Sequence, residues 1–116
     1  MLIRSQDKEA LINFNNSIVV NTMVDIGGVT KMFCSYSCDD YVIGHYSSKE
    51  KAMKVLDMIQ EAYEEYKITC TFLTGFTGHR VITELNDIRV NGFKELLKSF
   101  KKNMVFQMPE DSEVEV

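Results

Sequence analysis

Three cysteines and two histidines are the side chains of this sequence suited to metal binding or nucleophilic catalysis: Cys34, Cys38, Cys70, His45 and His79. Structural zinc sites typically contain close Cys-x-x-Cys pairs, and the sequence has none. If Cys34 and Cys38 share one strand, their Cα atoms stand about 13 Å apart, beyond the limit of about 7 Å for a disulfide. We therefore expect free thiols, no metal, no other cofactor and no catalytic residue. An enzyme that pairs Cys70 or Cys34 with a histidine is an alternative hypothesis.

The segment Thr74–Arg80 has the composition of a ligand-binding loop. Gly75 and Gly78 let a backbone approach a ligand closely, and His79 and Arg80 supply donors for a phosphate or carboxylate. The segment is not a P-loop, because the Gly-Lys-Ser/Thr ending is absent. It supports a second alternative, a small-molecule binder that sequesters a nucleotide signal.

The negative charge of the chain is concentrated at its C-terminus. The sequence has 13 Lys and Arg against 17 Asp and Glu, and the acidic excess equals four residues near the end: Glu110, Asp111, Glu113 and Glu115. A balanced body lacks the basic excess of nucleic-acid-binding proteins, so we expect no direct nucleic-acid ligand. We predict that these four acids contact a basic surface on a partner protein, with a merely solubilising tail as the alternative. Truncation after Pro109 is expected to leave the fold intact.

The length of 116 residues and a hydrophobic content of 45% fit one globular domain. We expect a single domain over residues 1–108 and an acidic tail over residues 109–116. No segment approaches the roughly 20 consecutive apolar residues of a membrane span, and Met1–Asn15 lacks the features of a signal peptide. The sequence therefore predicts a cytoplasmic protein without a membrane partner, and it leaves a homo-oligomer open.

Strand signals dominate the first part of the chain. Ser17–Ile26 and Val29–Cys38 are β-prone and flank Gly27-Gly28, which predicts a hairpin with a two-residue turn. The other predicted strands are Tyr41–Tyr46 after the punctuating pair Asp39-Asp40, Ala10–Phe14, Leu2–Arg4 at an edge, and Met104–Met108 before the strand-ending Pro109.

The clearest element is a helix that begins after Tyr46. Ser47 to Glu50 match a Ser-x-x-Glu capping box, and the apolar residues that follow recur every three or four positions, which predicts a helix to about Tyr66. The predicted buried stripe is Ala52, Val55, Leu56, Ile59, Ala62, Tyr63 and Tyr66.

The remaining signals are weaker. Ile68–Leu73 is β-prone and is predicted as a strand. Arg80–Val90 has no clean period, and Gly92–Lys101 fits a second, short helix. The predicted fold class is α+β: an antiparallel meander of three to five strands, one long amphipathic helix across it, a second short helix and a C-terminal strand.

Four blocks of the sequence resemble a group of short proteins from Gram-positive bacteria and their phages. The blocks are Leu2–Lys8, Ile43–Ala52, Val55–Gln60 and Phe106–Glu110. The resemblance carries over no enzymatic activity and no functional residue. It implies a mobile-element setting, in which small acidic proteins often antagonise host defence, including as anti-CRISPR inhibitors. The leading functional hypothesis is a noncatalytic binding protein that inhibits a host defence protein by direct contact, with a nucleic-acid-binding defence protein as a candidate partner.

Overall fold

Strands come first along the chain and one long helix follows them. The computed structural model describes residues 1–16, 19–36, 38–75, 98 and 101–116. The strands are β1 (Leu2–Arg4), β2 (Leu11–Asn13), β3 (Val19–Val24), β4 (Thr30–Tyr36), β5 (Asp39–Tyr46) and β6 (Val105–Gln107). The helix α1 covers Lys49–Gly75, and residues 101–104 are helical before β6. The fold class is therefore α+β, as predicted.

The described strands form two three-stranded sheets instead of one meander. Their orders are β2-β1-β6 and β3-β4-β5. The segment Leu2–Arg4 was expected at an edge, but β1 lies in the centre of its sheet, antiparallel to β2 and parallel to β6. Its middle residue, Ile3, is fully buried. The first strand of the chain is therefore held by residues that lie about a hundred positions later.

The predicted hairpin is confirmed, but its connection is longer than two residues. Gly27 and Gly28 both adopt positive φ angles, 95° and 86°. The Gly28 N–H donates to the Asp25 carbonyl (3.1 Å), and the Asp25 N–H donates to the Val29 carbonyl (2.8 Å). This arrangement places Gly28 and Val29 opposite Asp25 as a bulge, which strengthens the local twist.

Strand β5 begins two residues earlier than predicted, at Asp39. Asp39 and Asp40 were expected to separate two strands, but both lie in β5. Asp39 pairs with Tyr36, and the Ser35 hydroxyl donates to the Asp40 carboxylate (2.7 Å).

The core is one cluster that joins α1 and sheet β3-β4-β5 to buried residues of β1, β2 and the C-terminal segment. Alternate residues of β4, namely Thr30, Met32 and Cys34, are fully buried. The predicted helical stripe is confirmed: Ala52, Val55 and Ile59 are buried, while Leu56, Ala62, Tyr63 and Tyr66 pack at the border of the same cluster. Period 2 in the strand and period 3.6 in the helix thus aim their apolar faces at each other.

The start of α1 differs from the predicted capping box by one residue. The Ser48 hydroxyl, and not that of Ser47, accepts from the Lys51 N–H (3.2 Å). The Ser47 N–H instead donates to the Asp111 carboxylate (2.7 Å). Asp111, near the other end of the chain, therefore accepts the hydrogen bond from the Ser47 N–H that the predicted capping box assigned to Glu50.

Two predictions about the end of α1 are wrong. The helix continues past Tyr66 to Gly75 and includes the predicted strand Ile68–Leu73. No Gly or Pro interrupts this stretch, and extending an existing helix is favourable even for β-prone residues because nucleation has already occurred. The Thr69 hydroxyl donates to the Glu65 carbonyl one turn earlier (2.8 Å). The predictions for Arg80–Val90 and for most of Gly92–Lys101 fall outside the described residues.

Ile59→Ala should lower the free energy of unfolding by about 2–5 kcal/mol, because truncation removes buried area and leaves a cavity. Ile59 is only 3% exposed, and Ile68 on the same helix is 70% exposed. Ile68→Ala is therefore the matched control and should change the unfolding free energy by less than about 1 kcal/mol. Denaturant titration measures both free energies of unfolding. An effect of Ile59→Ala as small as that of Ile68→Ala would show that the stripe is not buried.

Candidate functional site

The C-terminal residues pack against the domain. Met108 and Pro109 are buried, and Val114 is 5% exposed and belongs to the core cluster. The tail is therefore not merely solvated, and the expectation that truncation after Pro109 leaves the fold intact stays a prediction whose stated basis, a tail without core contacts, is wrong. The sequence pattern counted the valines of the tail as solvent-exposed, whereas a 3-10 turn over Asp111–Glu113 folds Val114 back onto the core.

Asp111 has an internal role. Its carboxylate accepts from the Ser47 N–H (2.7 Å) and from the Lys51 ammonium (3.3 Å), and its carbonyl accepts from the same ammonium (2.8 Å). The Ser47 amide and then Lys51 hold the pKa of this carboxyl below its usual value. The Asp111 carboxylate, predicted to meet a partner, is thus already paired with a lysine of the same chain.

The other three acids of the tail keep their side chains in solvent. Glu110, Glu113 and Glu115 are exposed. The Glu110 N–H donates to the Glu113 carboxylate (3.0 Å), and Lys54 donates to the Glu115 carbonyl. Partner binding by these three residues stays a prediction, now on a tail whose main chain is anchored.

Tyr46 fixes the point where the tail begins. Its hydroxyl donates to the Pro109 carbonyl (2.9 Å) inside the core. Burial raises the pKa of this phenol well above its usual value, and the negative charges of Glu110, Asp111 and Glu113 raise it further. The hydroxyl therefore stays protonated and acts as a donor.

Gln6 covers part of the outer edge of β5. Its main-chain N–H donates to the Ile43 carbonyl (2.8 Å). Its side-chain amide accepts from the His45 N–H (2.9 Å) and donates to the His45 carbonyl (3.0 Å) and the Pro109 carbonyl (3.2 Å). One residue thereby supplies three of the hydrogen bonds that a neighbouring strand would supply.

The outer edge of β3 has no such cover within the described part of the chain. Hydrogen-bonded and non-hydrogen-bonded pairs alternate along an antiparallel ladder. Because the Asp25 N–H donates to the Val29 carbonyl, Met23 and Asn21, two and four positions earlier, also form their main-chain hydrogen bonds with β4. The N–H and C=O groups of Val20, Thr22 and Val24 then point away from β4. We call these six groups the open edge.

The sequence of β3 lacks the devices that usually protect an edge strand. Natural edges carry charges, proline or bulges, or they are very short. The uncovered part of β5 has Asp39 and Asp40 and a register shift, and β2 and β6 have three residues each. By contrast β3 is six residues long and reads VVNTMV, with no charge, proline or glycine. It is the strand best suited to pair with another polypeptide.

A groove of about 510 Å³ lies beside the open edge. It separates β3 from one flank of α1, and no residue of β4 or β5 lines it. Its lining residues are Phe14, Val20, Met53, Leu56, Asp57, Ile59, Gln60 and Tyr63. We call it the edge groove. The lining is mostly apolar, and Asp57 provides its formal charge.

Two aromatic rings, those of Phe14 and Tyr63, line part of the edge groove. The rings of Phe14 and Tyr63 meet edge to face, with their centroids 5.1 Å apart, and Tyr63 stacks on Tyr66 at 6.4 Å. The Lys67 ammonium lies 5.7 Å from the Tyr63 ring centroid. These contacts fix the orientation of Tyr63 at the groove wall.

The thiols and imidazoles do not converge in the described residues. None of the three cysteines forms a disulfide within the described part of the chain; Cys34 is buried, Cys38 is exposed and Cys70 is half-buried. Cys34 faces α1, whereas His45 pairs with Lys31 and lies on the opposite face of the sheet. No group of three His, Cys, Asp or Glu side chains in the described ranges is placed to hold a metal ion.

The alternative ligand loop is only partly visible. Gly75 is the last residue of α1 and not part of a loop. Gly78, His79 and Arg80 lie outside the described residues, so the nucleotide-binding hypothesis stays a prediction. The helices over the described parts of the chain include none that is long and apolar enough to cross a bilayer.

Comparison with known proteins adds no relative. No protein-family model, curated protein or solved structure matches this chain.

Sequence reasoning missed the open edge and the edge groove. The segment VVNTMV lies within the first strand of the predicted hairpin, and a hairpin pattern does not show which strand edge stays unpaired. The absence of charge and proline in this strand was the signal that could have identified the edge.

Truncation after Pro109 should lower the free energy of unfolding by about 1.5–3 kcal/mol, the value of burying one valine side chain. The matched control is the full chain with Glu110→Gln, Glu113→Gln and Glu115→Gln, which loses three charges but keeps Val114 and Asp111. That control should stay within about 0.5 kcal/mol of the parent. Denaturant titration compares them, and a truncated chain as stable as the parent would contradict the packing of Val114.

Proposed function

We propose that this chain is a noncatalytic, phage- or prophage-type binding protein that inhibits a bacterial defence component, in the manner of anti-CRISPR proteins, by direct protein contact. The observation that carries the proposal is the β3-β4 hairpin, which exposes several apolar side chains around its turn and whose edge strand is open. Polypeptide partners recognise both features, since apolar side chains supply area and main-chain groups supply hydrogen bonds.

The hairpin surface supports protein binding through its exposed side chains. Met23 is 51% exposed, Val24 is 50% exposed, and Ile26 at the tip is fully exposed, with Val29 exposed beside it. Exposed apolar residues are common singly, but several around one hairpin turn are typical of a contact surface. A partner that covers this group removes apolar area from water.

The biological setting of the proposal comes from the resemblance to short proteins of Gram-positive bacteria and their phages. In that setting a small binder acts by occupying a surface that a defence protein needs. The exposed Glu110, Glu113 and Glu115 suit a partner that presents Lys and Arg, as a nucleic-acid-binding defence protein must. Long-range attraction of that kind mainly raises the association rate.

The proposal is tested by plating phages on bacteria that carry a defence system, with CRISPR systems included in the panel. Expression of the chain should raise the plating efficiency of a phage restricted by at least one system. Ile26→Lys removes the apolar tip without disturbing the core and should reduce that rescue by about tenfold or more, as expected for an interface hot spot. Ile68→Lys makes the same change on an exposed helix position and serves as the control.

Two results would contradict the proposal. One is unchanged plating across the whole panel when the folded chain is present at high level. The other is rescue that does not require a complex, which is shown if the purified chain and the purified defence component elute separately in size-exclusion chromatography.

A further inference from the structure

We infer that β3 and α1 together bind an extended segment of a partner protein, which adds as a fourth strand to the open edge of β3 and places apolar side chains and a Lys or Arg in the edge groove. This inference rests on the proposed function, because it names the chemistry of the partner segment that the binding protein would recognise.

The first step of the argument concerns main-chain groups. Val20, Thr22 and Val24 each turn an N–H and a C=O away from β4. These residues recur at every second position, which is the spacing of hydrogen-bonded pairs in an antiparallel ladder. An extended segment satisfies them without any change in β3, and this is how peptides add to exposed sheet edges in several recognition domains.

The second step concerns the side chains of the added strand. Residues directly opposite each other on paired strands point to the same face of a sheet. Val20 lines the edge groove, so every second residue of the added segment also points toward α1. Those residues recur about 6.6 Å apart along the strand and meet Met53, Leu56 and Tyr63, which favour apolar side chains.

The third step concerns charge. Asp57 lies in the edge groove, and no ion pair joins it to a cation among the described residues. The nearest lysine on α1, Lys54, bonds the Glu115 carbonyl, and Lys49 and Lys54 share a hollow with Asp57 on the side of Val116 without an ion pair to it. A Lys or Arg on the added segment can therefore form an ion pair with the Asp57 carboxylate.

The charge also discriminates between a different protein and a second copy of this chain. A second copy would pair its own β3, and VVNTMV carries no base that could reach Asp57. The nearest base on the hairpin, Lys31, is already paired with Asp25 at 2.9 Å. Charge complementarity thus favours a partner segment that alternates apolar residues and includes Lys or Arg.

The test is a selection of random displayed octapeptides on the full chain, followed by titration of a labelled, enriched peptide. We expect enriched peptides to have apolar residues at alternate positions and at least one Lys or Arg. N-methylation of alternate peptide amides should weaken binding at least tenfold, because it removes main-chain donors and leaves the side chains in place.

Chain variants complete the test. Thr22→Pro removes one outward N–H and is tolerated on an edge strand, and it should weaken binding at least tenfold, while Thr22→Val keeps the N–H and should not. Asp57→Lys should weaken binding at least tenfold, whereas Glu65→Lys, on the flank of α1 away from the groove, should not. If Thr22→Pro fails to fold, the N-methylated peptides still decide the main-chain step.

Several outcomes would overturn the inference. They are enrichment of acidic peptides or of peptides with helical three- and four-residue spacing, no enrichment, binding insensitive to N-methylation, and a concentration-dependent dimer that Thr22→Pro abolishes. The plating assay separates this failure from failure of the proposed function. Full rescue by a folded Thr22→Pro variant would be consistent with the proposed function but would contradict strand addition at the open edge. Absence of rescue by the parent chain would contradict the proposed function itself.

Discussion

The side-chain amide of Gln6 satisfies main-chain groups that would otherwise be left unpaired at the edge of β5. It bonds both main-chain groups of His45 and also reaches the carbonyl of Pro109. An unpaired main-chain group is costly when buried and is a template for another strand when exposed. Because Gln6 follows β1, its hydrogen bonds also join the sheet that contains β1 to the sheet that contains β5 and to the start of the C-terminal tail.

The outer edge of β5 is thus covered by Gln6, whereas the outer edge of β3 is uncovered in the described part of the chain, and this difference organises the surface of the molecule. The tail leaves Pro109 along the helix, where Asp111 takes the Ser47 N–H and Val114 enters the core. This side of α1 is therefore occupied by the chain itself. Another side of α1 faces β3, where the open edge and the edge groove lie next to each other. The tail and the edge groove thus lie along the same helix, and Met53 and Asp57 line both the groove and a hollow beside Val116.

Local signals in the sequence predicted the local features of the fold. The Gly27-Gly28 pair indicated the hairpin because two consecutive positive φ angles suit glycine. The spacing of Ala52, Val55 and Ile59 indicated the buried stripe because the helical period is fixed. Tertiary structure decided the division into two sheets, since β1 pairs with a strand about a hundred residues away. It also decided the role of Asp111, which a charge count can only assign to solvent.

The candidate site was harder to predict than the core for the same reason. A strand's sequence shows its propensity but not which of its edges is covered, and Gln6 covers β5 from 39 residues away. The length of α1 was missed because β-prone residues after Tyr66 are weak evidence once a helix is established. The sequence shows that VVNTMV has no charge or proline, but this indicates an unprotected edge only once the topology places β3 at the edge of its sheet.

Amide hydrogen exchange of the full chain, resolved residue by residue, tests the central claim that β3 has an open edge. The amides of Val20, Thr22 and Val24 should exchange rapidly, because they point to solvent, while those of Asn21 and Met23 should be protected by β4. The His45 amide provides an internal reference, since Gln6 covers it on an outer edge. Protection of Thr22 and Val24 equal to that of Asn21 and Met23 would show that the edge is already occupied and would contradict the account.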